Sequence, residues 1–156
     1  MITGNLQAFL DMIAVSELGE ALLRKSDHGY NVIVGSTPAK PLLFFDYSDH
    51  PRKLVHLRPG LASTAAGRYQ LLARYYDAYS QSLKLKDFSP ASQDAIAIQQ
   101  IKERRALQNI EAGFLSLAIK QVSNIWASLP GAGYGQPENS YLALEAAYRA
   151  AGGSLA

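Results

Sequence analysis

The sequence contains no cysteine, so folding cannot rest on disulfides, and Cys-ligated zinc sites and thiol nucleophiles are excluded. Tryptophan occurs once, only 18% of residues are charged, and no run approaches the ~20 consecutive apolar residues of a membrane span. The stretch from Met1 to Asp11 lacks a basic region followed by an apolar one. The expectation is therefore a chain made in the cytoplasm, without an export signal and without stable membrane insertion. Fifteen Lys and Arg face 13 Asp and Glu, a balance of +2. Apart from Arg24-Lys25, Arg52-Lys53 and Lys102 to Arg105 the basic residues are scattered, unlike the dense stripe of a nucleic-acid binder. No nucleic-acid partner is expected.

What is present is an ordinary globular composition, 48% hydrophobic over 156 residues, which fits one domain spanning 1–156. Asn5 can cap a first helix whose Leu6, Phe9, Leu10 and Ile13 recur at helical spacing. Between His28 and Gly60 the texture changes to short β-branched and aromatic runs, Asn31 to Val34 and Leu42 to Tyr47, which predict a small antiparallel sheet or hairpin region. Ser63 to Gly67 then introduce a helix buried through Leu71, Leu72, Tyr75, Tyr76 and Tyr79. Ser89-Pro90 starts another, running to about Arg104. Leu107 and Ile110 suggest a short helix closed near Gly113, and Ala118 to Trp126 mark one that stops before Pro130. After the loop Pro130 to Pro137, Asn139 or Ser140 can cap a last helix ending at Gly152-Gly153. The fold class is α+β, mostly helical with a small antiparallel sheet, and a cleft between sheet and helices is natural in such an arrangement.

Glu17 stands out among the carboxylates. It projects within roughly 20° of Leu6, in the middle of the apolar stripe, whereas Asp11 and Glu20 fall off it. An ionised carboxylate without a partner is costly to bury, so such a Glu either finds a cation or stays protonated, and a protonated Glu in a cleft is a general acid. The alternative is a Glu at a helix end that reaches water or pairs with Arg68 or Arg104.

Other candidates are weaker alone. The turn Gly131-Ala132-Gly133-Tyr134-Gly135-Gln136 lets backbone approach a ligand and presents an aromatic and an amide suited to sugars, but such a turn also simply joins two helices. It lacks the Lys and Ser or Thr of a phosphate loop. Gly67-Arg68-Tyr69-Gln70 offers guanidinium, phenol and amide at a helix start, or ordinary capping. His28, His50 and His56 lack metal-ligand spacing and read as structural or surface residues, so neither metal nor cofactor is expected. Ser16 has no local His, which leaves a serine triad unsupported.

Taken in order, these stretches resemble the lambda-type phage lysozymes, endolysins that act as lytic transglycosylases. The resemblance is carried by Ala8 to Met12, Ser16-Glu17, His28 to Gly35, Asp46 to Val55, Ala66 to Leu72, Lys86 to Pro90, Gln99 to Arg104 and Ile125 to Gln136, nearly the whole chain. It implies a lysozyme-like α+β fold with the catalytic Glu at the end of the first long helix, which falls on Glu17. It implies further that Gln70 and Tyr134 line the cleft near the reacting sugar, with Tyr30, Tyr69 and Gln136 as further contacts. Two places depart from the family pattern: Leu18-Gly19 follows Glu17 where Gly-Thr is common, and Pro137-Glu138-Asn139 stands where an aromatic, Glu and His are familiar.

The activity so implied is cleavage of peptidoglycan glycan strands between N-acetylmuramic acid and N-acetylglucosamine, forming 1,6-anhydro ends. That chemistry needs one carboxyl group, where ordinary glycosidases need two. The alternatives are a hydrolytic lysozyme with Asp46 or Asp49 as second carboxylate, and a non-enzymatic wall-binding protein. The resemblance also implies a monomer that waits in the host cytoplasm until a separate holin-type membrane protein releases it onto the periplasmic wall.

Overall fold

The first long helix, α1 (Gly4–Leu18), is buried on nearly every side: Ala8, Phe9, Leu10, Met12, Ile13 and Ala14 are all inaccessible. The buried positions spread wider than the single stripe that the periodicity predicted, with Gln7 left exposed and Asp11 half-buried. Its first turn is capped by Thr3, whose hydroxyl accepts the Leu6 N–H at 3.2 Å. Asn5, the predicted cap, is already helical. Its side chain donates to the Glu111 carbonyl and accepts from the Ser154 N–H, at 3.1 and 2.9 Å. Gly19, at φ 77°, ends the helix in a conformation that L side chains resist, and the short α2 (Glu20–Arg24) follows.

The structure is a computed structural model describing residues 2–156; Met1, the first residue of the stretch read for an export signal, lies outside the described residues. The chain forms two compact units, one of Leu18–Ile96 and one joining the segment up to Glu17 with Ala97–Ala156.

In the Leu18–Ile96 unit the regular sheet is a single antiparallel hairpin, β1 (Val55–Arg58) with β2 (Leu61–Ser63). Its turn is Pro59-Gly60, with Gly60 at φ 78°, the pairing that a type II turn requires. This corrects the expected strand positions. Asn31 to Val34 and Leu42 to Tyr47 form only isolated bridges, Val32 with Leu43 and Ile33 with Ala66, and Asn31 and Val34 lie in turns. Between them the Thr37 and Lys40 backbones bond to each other, and Pro38 and Pro41 have no N–H with which to extend a ladder. The helix expected from Ser63 begins later, as α3 (Ala73–Ser82), and within it only Tyr76 is buried. Residues 66–71 instead make a tight turn closed by reciprocal Ala66–Leu71 bonds at 3.1 and 2.9 Å. The core of this unit gathers Ile33, Phe44, Leu71, Tyr76 and Phe88, with Tyr76 edge-on to Phe88 at 5.1 Å.

The helix α4 (Pro90–Glu103) begins as predicted, the Ser89 hydroxyl accepting from the Ser92 N–H. In the other unit α5 (Leu107–Glu111) closes before Gly113 at φ 84°, α6 (Leu115–Val122) starts before and ends short of the predicted Ala118 to Trp126, and α7 (Tyr141–Ala150) is capped by Ser140. The fold is mostly helical with one small antiparallel sheet.

Candidate active site

Glu17 is the penultimate residue of α1 and is half-buried. Burial pushes its pKa up from an ordinary 4.5 to about 7, and a hydrogen bond from the Ser128 hydroxyl pulls in the opposite direction. No charged group among the described residues contributes, so the carboxyl sits without a cation. Arg104 is engaged elsewhere, with the Asn124 side chain at 3.1 Å and the Glu103 carboxylate at 3.8 Å. Arg68 donates to the His28 carbonyl at 2.5 Å and lies over the Tyr30 and Tyr69 rings. The Glu17 carboxyl thus has a hydroxyl partner and no charge acting on it among the described residues, and a group poised near neutral pH can both give and take a proton.

On the same unit, Tyr134 is exposed and its phenol donates to the Asn124 carbonyl at 2.6 Å. Its loop is shaped by Gly131, Gly133 and Gly135, all at positive φ, and Gln136 projects into solvent. The other three sequence candidates lie in the Leu18–Ile96 unit. Gln70 occupies a left-handed conformation, φ 51°, and its amide donates to the Gly67 and Val32 carbonyls at 2.8 and 3.3 Å. Both side-chain protons are thereby committed, leaving its oxygen to accept from a ligand. Tyr69 is buried and Tyr30 half-buried, and both phenols donate to Asp94, at 2.7 and 3.0 Å. Burial and that carboxylate raise the Tyr30 pKa to about 12 and push the Tyr69 pKa up as well. Both phenol protons are thereby committed to Asp94.

Against this geometry, comparison with known proteins is decisive: a family model described as Endolysin matches residues 7–155. The chain belongs to the endolysin family. It is 57% identical over 155 residues to the endolysin of Escherichia phage lambda, covering 99% of this chain and 95% of that protein. To the endolysin of Escherichia phage P2 it is 51% identical over 156 residues, covering 96% and 93%. Among solved structures, bacteriophage lambda lysozyme complexed with a chitohexasaccharide superposes with a TM-score of 0.91 at 56% identity, covering 100% of this chain and 99% of that one. A second structure of the bacteriophage lambda lysozyme gives a TM-score of 0.88.

Several residues around these side chains had no site role legible in the endolysin's sequence, Asn139 having stood out only as a possible cap and a departure from the family pattern. Ser128 and Asn139, which surround Ser16 and Glu17, come from segments more than a hundred residues away along the chain. Gln93 braces the Gly67 turn, accepting from the Arg68 N–H and donating to the Tyr30 and Phe88 carbonyls. A side chain at Gly67, φ 84°, would collide with it. Asp94 was equally silent, since a polar helix residue has no signature until two phenols converge on it. His50, read as structural, is buried: its Nδ1 accepts from the Arg52 N–H at 2.9 Å, so Nε2 carries the proton donated to Leu71 at 2.8 Å. Asp46 and Asp49 carry lowered pKa values, the first from hydrogen bonds with Ser48 and the second from the Arg52 guanidinium. Among the described residues no cluster suited to a metal ion occurs, and no helix is long and apolar enough to cross a membrane.

Proposed function

We propose that this endolysin cleaves the β-1,4 bond between N-acetylmuramic acid and N-acetylglucosamine in peptidoglycan by lytic transglycosylation, with Glu17 as the single catalytic acid and base. The observation that carries this reading is the Glu17 carboxyl, raised to about 7 by burial and unaccompanied by any charged group among the described residues. A relative solved with a chitohexasaccharide supports a glycan as the ligand class.

In the first step protonated Glu17 donates to the glycosidic oxygen as the C1–O bond breaks, and the acetamide oxygen of the same muramic residue bonds to C1. Glu17, now a carboxylate, then takes the proton of the C6 hydroxyl while that oxygen attacks C1 and the acetamide is released. The product is a 1,6-anhydro end, and no water is consumed. Gln70 and Tyr134 are assigned to the cleft near the reacting sugar, with Tyr30, Tyr69 and Gln136 as further contacts. The chain 1–156 acts as one catalytic domain and a monomer, held in the host cytoplasm until a holin-type membrane protein opens the way to the wall.

The test is Glu17→Gln together with mass spectrometry of digested peptidoglycan. The variant is expected to fold and bind glycan but to lose lysis, and the wild type to leave anhydro-muramic ends. Reducing muramic ends would establish a hydrolase with a second carboxylate such as Asp46 or Asp49. Sedimentation with walls without any drop in turbidity would establish a binding protein.

A further inference from the structure

The Glu17 carboxyl is the end point of a longer chain of donors. Asn139 places its side-chain nitrogen 3.0 Å from the Ser16 hydroxyl and 3.1 Å from the Ser16 carbonyl. A carbonyl can only accept, so this contact fixes which end of the carboxamide faces Ser16, and the amide must donate to the hydroxyl as well. The Ser16 hydroxyl, having accepted one proton, has its own left for the Ser128 hydroxyl 2.8 Å away. Ser128 in turn has its proton left for Glu17, with which it hydrogen-bonds. The segment is pinned at its backbone too, the Asn139 N–H donating to the Ser128 carbonyl at 2.7 Å.

We propose that Asn139, Ser16 and Ser128 form a one-way donor relay that orients Glu17 and stabilises its carboxylate form, which makes them positioning residues for the step in which Glu17 takes a proton back. This rests on the acid and base role proposed above. A single carboxyl that first donates and then accepts must not be held neutral too firmly. Burial supplies the neutral bias, and the relay supplies an opposing pull that sharpens as charge appears. The relay runs from an amide, so it has no titration of its own. No charged side chain among the described residues acts on Glu17 directly. Beside Asn139, the Glu138 carboxylate is turned onto the Gly131 and Gly133 N–H groups, and Arg104 is occupied by Asn124 and Glu103.

The experiment follows the Glu17 carboxyl by carbon NMR as pH is varied, alongside the pH profile of kcat/KM on purified peptidoglycan. In Ser128→Ala the titration midpoint is expected to rise by about one pH unit, since a hydrogen bond to a charged group is lost, and the alkaline limb of activity should move with it. Ser16→Ala should shift both the same way by less, and Ser128→Thr should restore them. Ser16→Ala removes only a hydroxyl and carries the test if Ser128→Ala folds poorly. A residue holding the fold alone would lower Tm and leave the midpoint where it was; that result in both alanine variants, with Glu17→Gln inactive, would overturn the relay and leave the catalytic assignment standing. Activity retained by Glu17→Gln would overturn both.

Discussion

The Glu138 carboxylate accepts the backbone N–H of Gly133 at 3.1 Å, while its other oxygen takes that of Gly131 at 3.0 Å. Three positive-φ glycines make the loop permissive, and this clamp restricts it, presenting Tyr134 and Gln136 on a closed ring of backbone. The sequence departure at Pro137 to Asn139 thus keeps a carboxylate facing the loop and supplies the amide that reaches Ser16.

Those two N–H groups lower the Glu138 pKa. A depressed carboxylate contributes order that is fully present above its ordinary pKa, near 4.5, and lost as pH falls through the lowered value. Amide hydrogen exchange at Gly131 and Gly133 should therefore accelerate in Glu138→Ala at neutral pH, with KM for peptidoglycan rising several-fold and Tm hardly changing. Unaltered exchange in the variant would show that the glycine loop holds its shape without the clamp.

Glu17 should trade stability for its chemistry. Its folded pKa, about 7, lies above the ordinary 4.5, so the native state favours the protonated form and stability declines as pH rises from 4.5 through 7. Glu17→Gln is expected to be more stable than the wild type at pH 8 by up to about 3 kcal/mol, with little difference at pH 4. Urea unfolding at the two pH values measures this, and an equal effect at both would mean that the carboxyl is not held neutral by its surroundings.

His50 presents the opposite pattern of charge. Burial depresses its pKa, and its ring, 4.8 Å from Phe88, joins the Arg52 N–H to the Leu71 carbonyl in neutral form. Its contribution is complete above the ordinary 6.5 and disappears as pH falls through the lowered value, because protonation removes the Nδ1 acceptor. His50→Ala should cost roughly 2–4 kcal/mol at pH 8 and appreciably less at pH 5. Thermal unfolding at both values decides it; a pH-independent loss would leave only the packing of the ring.

The Ser89 and Ser140 caps, the long first helix and the burial of Glu17 at its end were legible in the sequence, because capping, glycine stops and a carboxyl among apolar neighbours are local signals. The short α2 and the late start of α3 were not. The Pro59-Gly60 turn was equally local but stood outside the runs richest in β-formers, so the hairpin fell where apolar content did not point. What tertiary structure alone decided is partnership across the chain. It turned Asn5 from a cap into a tie to Glu111 and Ser154, brought Tyr30 and Tyr69 to one Asp94, and placed Ser128 and Asn139 around Ser16 and Glu17. Hydrogen bonds between residues more than twenty apart leave no period or spacing in the sequence, since their geometry exists only after the backbone has been fixed by packing.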